Sequence, residues 1–128
     1  MQKYDKNNTN DLKVFLYNSY AHDAKIESVQ YDYRQDRIKI ELFNPIFDIK
    51  IDLFFLNIVV ALKTKGDWSG DCETISSLTV EEDFPYLQNF LLTHREYMED
   101  ALYLLFQMFS GDELHILAKE VIVEVKKT

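Results

Sequence analysis

His22 and Asp23 stand side by side, and an imidazole next to a carboxylate is the pairing in this chain best suited to general-base chemistry or to a hydrogen-bonded pocket. A turn uses the same two residues equally well: the carboxylate of Asp23 would order the turn while His22 ties down a backbone carbonyl. Side chains of neighbouring residues diverge in extended backbone, so the structural role is the expected one. His94 and His115 are too far apart for a helical metal pair, and no HExxH or clustered Cys/His spacing occurs. His115 alternates with Leu114 and Ile116, which places it on the outward face of a strand as a surface residue. No GxSxG surrounds Ser69-Gly70, and neither phosphate-cradling glycine motif is present. No catalytic constellation or cofactor follows from these residues.

Acidic residues are the true excess. Asp67, Asp71 and Glu73 surround Trp68 in a polar stretch, and Glu81, Glu82 and Asp83 follow closely. No DxDxDG calcium loop is written there. Carboxylates around an aromatic suit docking onto a basic protein, with Trp68 as the anchor and the acids steering the encounter. The competing reading is a solvated loop with Trp68 folded back on the core.

The formal charge of −8 repels nucleic acid and anionic membrane, and no basic stripe reverses it locally. Cys72 is alone, so an internal disulfide scaffold is excluded. The opening MQKYDKNNTN has no apolar stretch of the signal-peptide kind. Leu53 to Leu62, interrupted by Asn57, is far short of the ~20 residues of a membrane span. A cytoplasmic protein is expected. With 128 residues, 47% of them hydrophobic, and only three Gly and two Pro, the chain fits one domain of long regular elements.

The elements that must position these residues follow from periodicity. Residues Met1 to Asn8 are polar and expected to fray. Asn10 can cap a helix from Asp11 to about Tyr20, whose apolar face is Leu12, Phe15, Leu16 and Tyr20. After Asp23 the period changes to two. Val29, Tyr31 and Tyr33 alternate with polar residues, and Ile26 is out of step, which predicts a bulge near Glu27 or Ser28. A charged tip, Arg34 to Asp36, leads into Ile38, Ile40 and Leu42, and Asn44-Pro45 ends that strand. A third strand is predicted from Phe47. Both its faces turn apolar beyond Phe54, so it is doubly covered or strongly bent there.

Thr74 to Val80 is a further strand, after a polar loop from Lys63 to Glu73. Residues 101–109 fit a helical face, with a capping box at Thr93 and Glu96, but strand is favoured because it closes a hairpin around Ser110-Gly111-Asp112. A phase shift between Ala118 and Val121 predicts a second bulge.

The stretch Tyr20-Ala-His-Asp-Ala-Lys-Ile-Glu-Ser-Val resembles the "HDA, basic, Ile" opening of small bacterial α+β proteins, some of which, such as the Imm50 type, are grouped with immunity proteins of polymorphic toxin systems. About a third of the chain is covered by this resemblance. It implies a cytoplasmic protein that binds and blocks a toxin without catalysis, and it supplies no catalytic residues.

The expected architecture is a single α+β domain, a twisted antiparallel sheet of about five strands with the N-terminal helix on one face. The expected function is non-enzymatic binding of a basic protein, with immunity-like neutralisation of a toxin as its specific form, through Trp68, Asp67, Asp71, Glu73, Glu81, Glu82 and Asp83. The alternatives are a small-molecule or enzymatic pocket at His22 and Asp23, and a homodimeric scaffold paired through an exposed strand edge.

Overall fold

The computed structural model describes residues 1–64, 73–82 and 100–127, with 62–64 described by backbone alone. Seven strands and one α-helix occur in these stretches, in place of the expected five strands. In chain order they are β1 (Gln2–Asp5), α1 (Thr9–Asn18), β2 (Lys25–Asp32), β3 (Arg37–Asn44), β4 (Ile49–Thr64), β5 (Ile75–Glu81), β6 (Leu102–Met108) and β7 (Glu113–Lys127). All pairings between strands are antiparallel, in the order β2-β3-β4-β7-β6-β5, with β1 joining β7.

Two long strands organise the sheet. β4 and β7 pair over their whole length, from Ile49↔Lys127 to Thr64↔Glu113. The other edge of β7 is shared: β6 takes residues 113–118, and β1 takes 120–123. Residues 2–5 therefore do not fray. They complete a ladder that β6 leaves unfinished, and Tyr4 is buried against Phe15 with ring centroids 5.9 Å apart. The polar composition of the segment concealed this, because backbone groups supply most of the pairing.

The sheet curls until its first and last strands meet. Asp23 N–H donates to Ile75 O at 2.9 Å, Ile75 N–H to Ala24 O at 2.9 Å, and Ile26 N–H to Glu73 O at 2.8 Å. This seam joins the start of β2 to the start of β5 through an antiparallel bridge at Lys25 and Thr74.

Inside the curl, Ile40, Leu42, Ile51, Leu53, Phe55, Phe106 and Ile116 are essentially without solvent contact. Each sits at an alternate position of its strand, as the period of two requires. Helix α1 lies against β5 and β1, and sends Leu12 and Leu16 into the same core. Burying Leu12 completely contributes about 2–3 kcal/mol. The helix begins before the expected Asp11 and ends before Tyr20. Asn10 is not its cap: Asn8 holds that position, and its side chain instead accepts from Asp5 N–H at 2.7 Å, in a reciprocal box with Asp5 that closes the 3-10 turn at Lys6–Asn8.

Several local expectations hold. Pairing of β2 with β3 shifts between Ile26 and Ser28, where the bulge was expected. Leu102–Met108 is a strand, and Gly111, at φ 93°, takes the left-handed position of the turn into β7. The strand β4 does bend: Asn57 sits at φ 56°, and its register with β7 shifts between Ile58 and Val60. The second irregularity thus lies on β4, opposite the expected place. Phe47 is not in a strand but in the Pro45–Asp48 turn, and Lys63 and Thr64 still belong to β4 rather than to a loop.

Candidate functional site

The seam gathers three turns at one end of the molecule, and a buried amide holds two of them together. Asn44 is 1% exposed. Its side-chain N–H groups donate to Tyr20 O at 2.9 Å and His22 O at 3.4 Å, while its Oδ1 accepts from Ile46 N–H at 2.9 Å and Phe47 N–H at 3.3 Å. One short side chain fixes both the turn after α1 and the turn after β3, the local bonding at which Asn excels. The third turn, after β6, is joined through Phe109 N–H, which donates to Thr74 O at 3.1 Å, one residue from the Ile75 carbonyl that Asp23 uses.

The result is an apolar cap. Tyr20 and Phe47 pack with centroids 4.5 Å apart, and His22 lies 6.4 Å from Phe109. Tyr20, Ile46, Phe47 and Phe109 are 41%, 67%, 51% and 53% exposed, although large apolar side chains at turns are uncommon. Charges of both signs share this end: Asp23 and Asp48 adjoin His22 and Phe47 in sequence and Glu73 lies at the seam, while Lys25, Lys50, Lys126 and Lys127 stand at the neighbouring strand ends.

Here the structure separates the sequence candidates. Glu73, from the docking set, lies at the seam, where its carbonyl accepts from Ile26 N–H and the neighbouring Asp23 bonds Ile75. Glu81 and Glu82 lie at the far end of β5, roughly 25–30 Å away at the rise of a strand. Glu82 is engaged by Lys13 of α1 at 2.7 Å, which holds its carboxyl below the usual range. Asp67, Trp68, Asp71 and Asp83, with Cys72 and His94, lie outside the described residues.

The His22–Asp23 pair has no dyad geometry. Nδ1 and Oδ1 are 3.7 Å apart, beyond hydrogen-bond reach, and the side chains are 66% and 43% exposed. Asp23 sits at φ 68°, in the left-handed region that Asp tolerates, and its backbone N–H closes the seam. Its role is to turn the chain into β2.

A second polar group is buried where the sequence pointed to the surface. His115 faces away from the main core, as its alternation requires, yet it is fully buried. Its Nδ1 is hydrogen-bonded to the Tyr103 hydroxyl, and its Nε2 lies 3.6 Å from Glu113 Oε1. Glu113 Oε2 accepts from Gln107, whose own Oε1 accepts from Ser77 at 2.6 Å. This chain crosses β5, β6 and β7 and ties them together. Tyr103, His115 and Glu113 are each 3% exposed or less.

A third feature is the open β2–β3 hairpin, where a concavity of about 600 Å³ is lined by Tyr31, Tyr33, Arg34, Arg37, Lys39 and Phe54. Tyr31 and Tyr33 pack with centroids 4.3 Å apart, and Lys39 lies 5.4 Å above the Phe54 ring.

Sequence reading missed the cap. Its only signal was local: Ile46-Phe47 directly after Asn44-Pro45, and Phe109 directly before Ser110-Gly111. Among the described residues no three His, Cys, Asp or Glu side chains are placed to share a metal ion, and no helix is long and apolar enough to cross a membrane. No protein-family model matches the chain, and no curated protein matches it.

Proposed function

We propose that this chain is a non-enzymatic protein-binding module that docks a basic protein onto the apolar cap at the seam. The observation that carries the reading is the cluster of Tyr20, Ile46, Phe47 and Phe109, each more than 40% exposed yet held by the buried Asn44 clamp and the seam. Rigid aromatics lose little conformational entropy on binding, and an exposed cluster of them beside charged residues has the layout of an interface centre with its rim. The net charge of −8 favours a basic partner and speeds its approach. Neutralisation of a toxin is the specific form suggested by the resemblance of residues 20–29.

A photo-crosslinking residue at position 47, used in the native host, tests this, with exposed position 10 of α1, beside Glu82 at the far end of the molecule, as control. The captured protein is then purified and its affinity measured. A basic partner captured only from position 47, bound about 30-fold more weakly by Phe47→Ser and progressively less in salt, supports the reading. Capture that is equal from both positions, or an affinity that Phe47→Ser and Phe109→Ser leave unchanged, refutes it.

A further inference from the structure

We infer that the concavity at the β2–β3 tip binds a small anion, a phosphate monoester carrying a planar ring. Its volume of about 600 Å³ lies within the range of small-ligand sites. Against a net charge of −8, its lining holds three cations, Arg34, Arg37 and Lys39, and one carboxylate, Asp32. That carboxylate serves the turn itself: Asp32 Oδ1 accepts from Arg34 N–H at 3.0 Å and from Gln35 N–H at 3.3 Å. Asp36, the other acid of the tip, accepts from the Tyr31 hydroxyl at 3.2 Å, and Lys39 is held by Glu41 at 3.0 Å. The guanidinium groups of Arg34 and Arg37 take part in no ion pair among the described residues. Two of the chain's three arginines thus line one concavity with their charge uncompensated.

A phosphate monoester matches them in geometry and charge. Each guanidinium presents paired N–H donors at the spacing of phosphate oxygens, and the ester carries about −1.5 to −2 near neutral pH, which two arginines balance. Arg37 is the first residue of β3, opposite Asp32 of β2 and Leu56 of β4, and Arg34 stands on the turn that Asp32 orders. The ring of the ligand has its own surface. Lys39 lies opposite Phe54 with its Nζ 5.4 Å from the ring centroid, so an aliphatic stem and an aromatic ring form the floor. Tyr33, 85% exposed and packed on Tyr31 at 4.3 Å, offers a face on which a planar ring can stack. The site lies at the opposite end of β3 from Asn44 and is independent of the cap.

NMR titration of the isotope-labelled full chain tests this with four probes: phenyl phosphate, adenosine monophosphate, inorganic phosphate and adenosine. At least one of the two esters should give saturable shifts at Arg34, Arg37 and Phe54, with a dissociation constant of about 1 mM or lower. Inorganic phosphate and adenosine, which each lack half of the recognised chemistry, should bind about tenfold more weakly or less. The ester that binds more tightly identifies an aryl phosphate or a nucleotide as the source of the group. Arg34→Gln and Arg37→Gln should each weaken that ester about tenfold, while Lys50→Gln, the same change of charge elsewhere, and Phe47→Ser at the cap should not. Both arginines are exposed, and the amide spectrum of each variant checks that the fold is kept. No saturable shift with either ester up to about 20 mM, inorganic phosphate bound as tightly as the esters, or an affinity that both arginine variants leave unchanged overturns the inference.

Discussion

The side-chain amide of Asn44 donates to the carbonyl of Tyr20 at 2.9 Å, across 24 residues of chain. Its other three bonds make it the joint between the turn after α1 and the turn after β3. The exposed rings of Tyr20 and Phe47, packed with centroids 4.5 Å apart, stand on the two turns it joins.

Replacing Asn44 with Ala removes that joint and strands two carbonyls and two N–H groups at a buried position. The expected loss is about 2–4 kcal/mol, at roughly 1 kcal/mol per lost bond. Urea unfolding measures it, and a loss below about 1 kcal/mol would show that the turns hold themselves.

The buried chain from Tyr103 to Ser77 makes a graded prediction. Tyr103→Phe removes one hydroxyl and should cost about 1–2 kcal/mol. His115→Ala opens a cavity, removes the bond between the ring and the Tyr103 hydroxyl and takes the imidazole away from the Glu113 carboxylate, so about 3–4 kcal/mol is expected. Chemical denaturation of both variants checks the order. Equal, small losses would return His115 to the role of an ordinary surface residue.

Glu82 gives a pH dependence of known sign. The hydrogen bond from Lys13, then its charge, holds the Glu82 carboxyl below its usual 4.5. A carboxyl depressed by folding adds stability above its unfolded pKa, and this is lost as pH falls through the folded value. Both groups meet solvent, so the effect is small and salt-sensitive. The stability gap between wild type and Glu82→Gln, measured by thermal unfolding at low salt, should be present near pH 6 and absent near pH 2. A gap that is constant across this range would assign it to packing.

Tyr31 titrates above its usual 10.0, through lost solvation first and the hydrogen bond to Asp36 second. Asp36→Asn should therefore lower the Tyr31 pKa while leaving it somewhat raised. Asn tolerates the left-handed backbone that Asp36 adopts at φ 53°, so the tip should survive. Ring resonances followed by NMR from pH 8 to 12 report the shift, and no change would mean that Asp36 does not hold the ring.

Much of the fold was legible because its cause is local. Alternation in Ile38-Ile40-Leu42 states which side chains share a face, and the odd phase of Ile26 states where the ladder must slip. Ser110-Gly111-Asp112 states where the chain can reverse. The docking set was less legible, since Glu73 and Glu82 are close in sequence but lie at opposite ends of an extended strand.

The sequence by itself determined the alternating faces, the turns and an α+β chain with a charge of −8. Only the tertiary structure decided which of those faces are covered and which backbone edges find partners. Alternation puts His115 opposite Leu114 and Ile116, yet whether that opposite face meets solvent depends on what packs there. Residues 2–5 read as a polar tail, but β7 extends beyond β6 and offers them a ladder. The seam rests on bonds between residues about 50 apart in sequence, the Asp23–Ile75 bond among them. The cap exists because that seam and Asn44 draw separate turns to one end. Side-chain pattern is a property of neighbours in sequence, whereas burial and hydrogen-bond partnership are set by residues far along the chain.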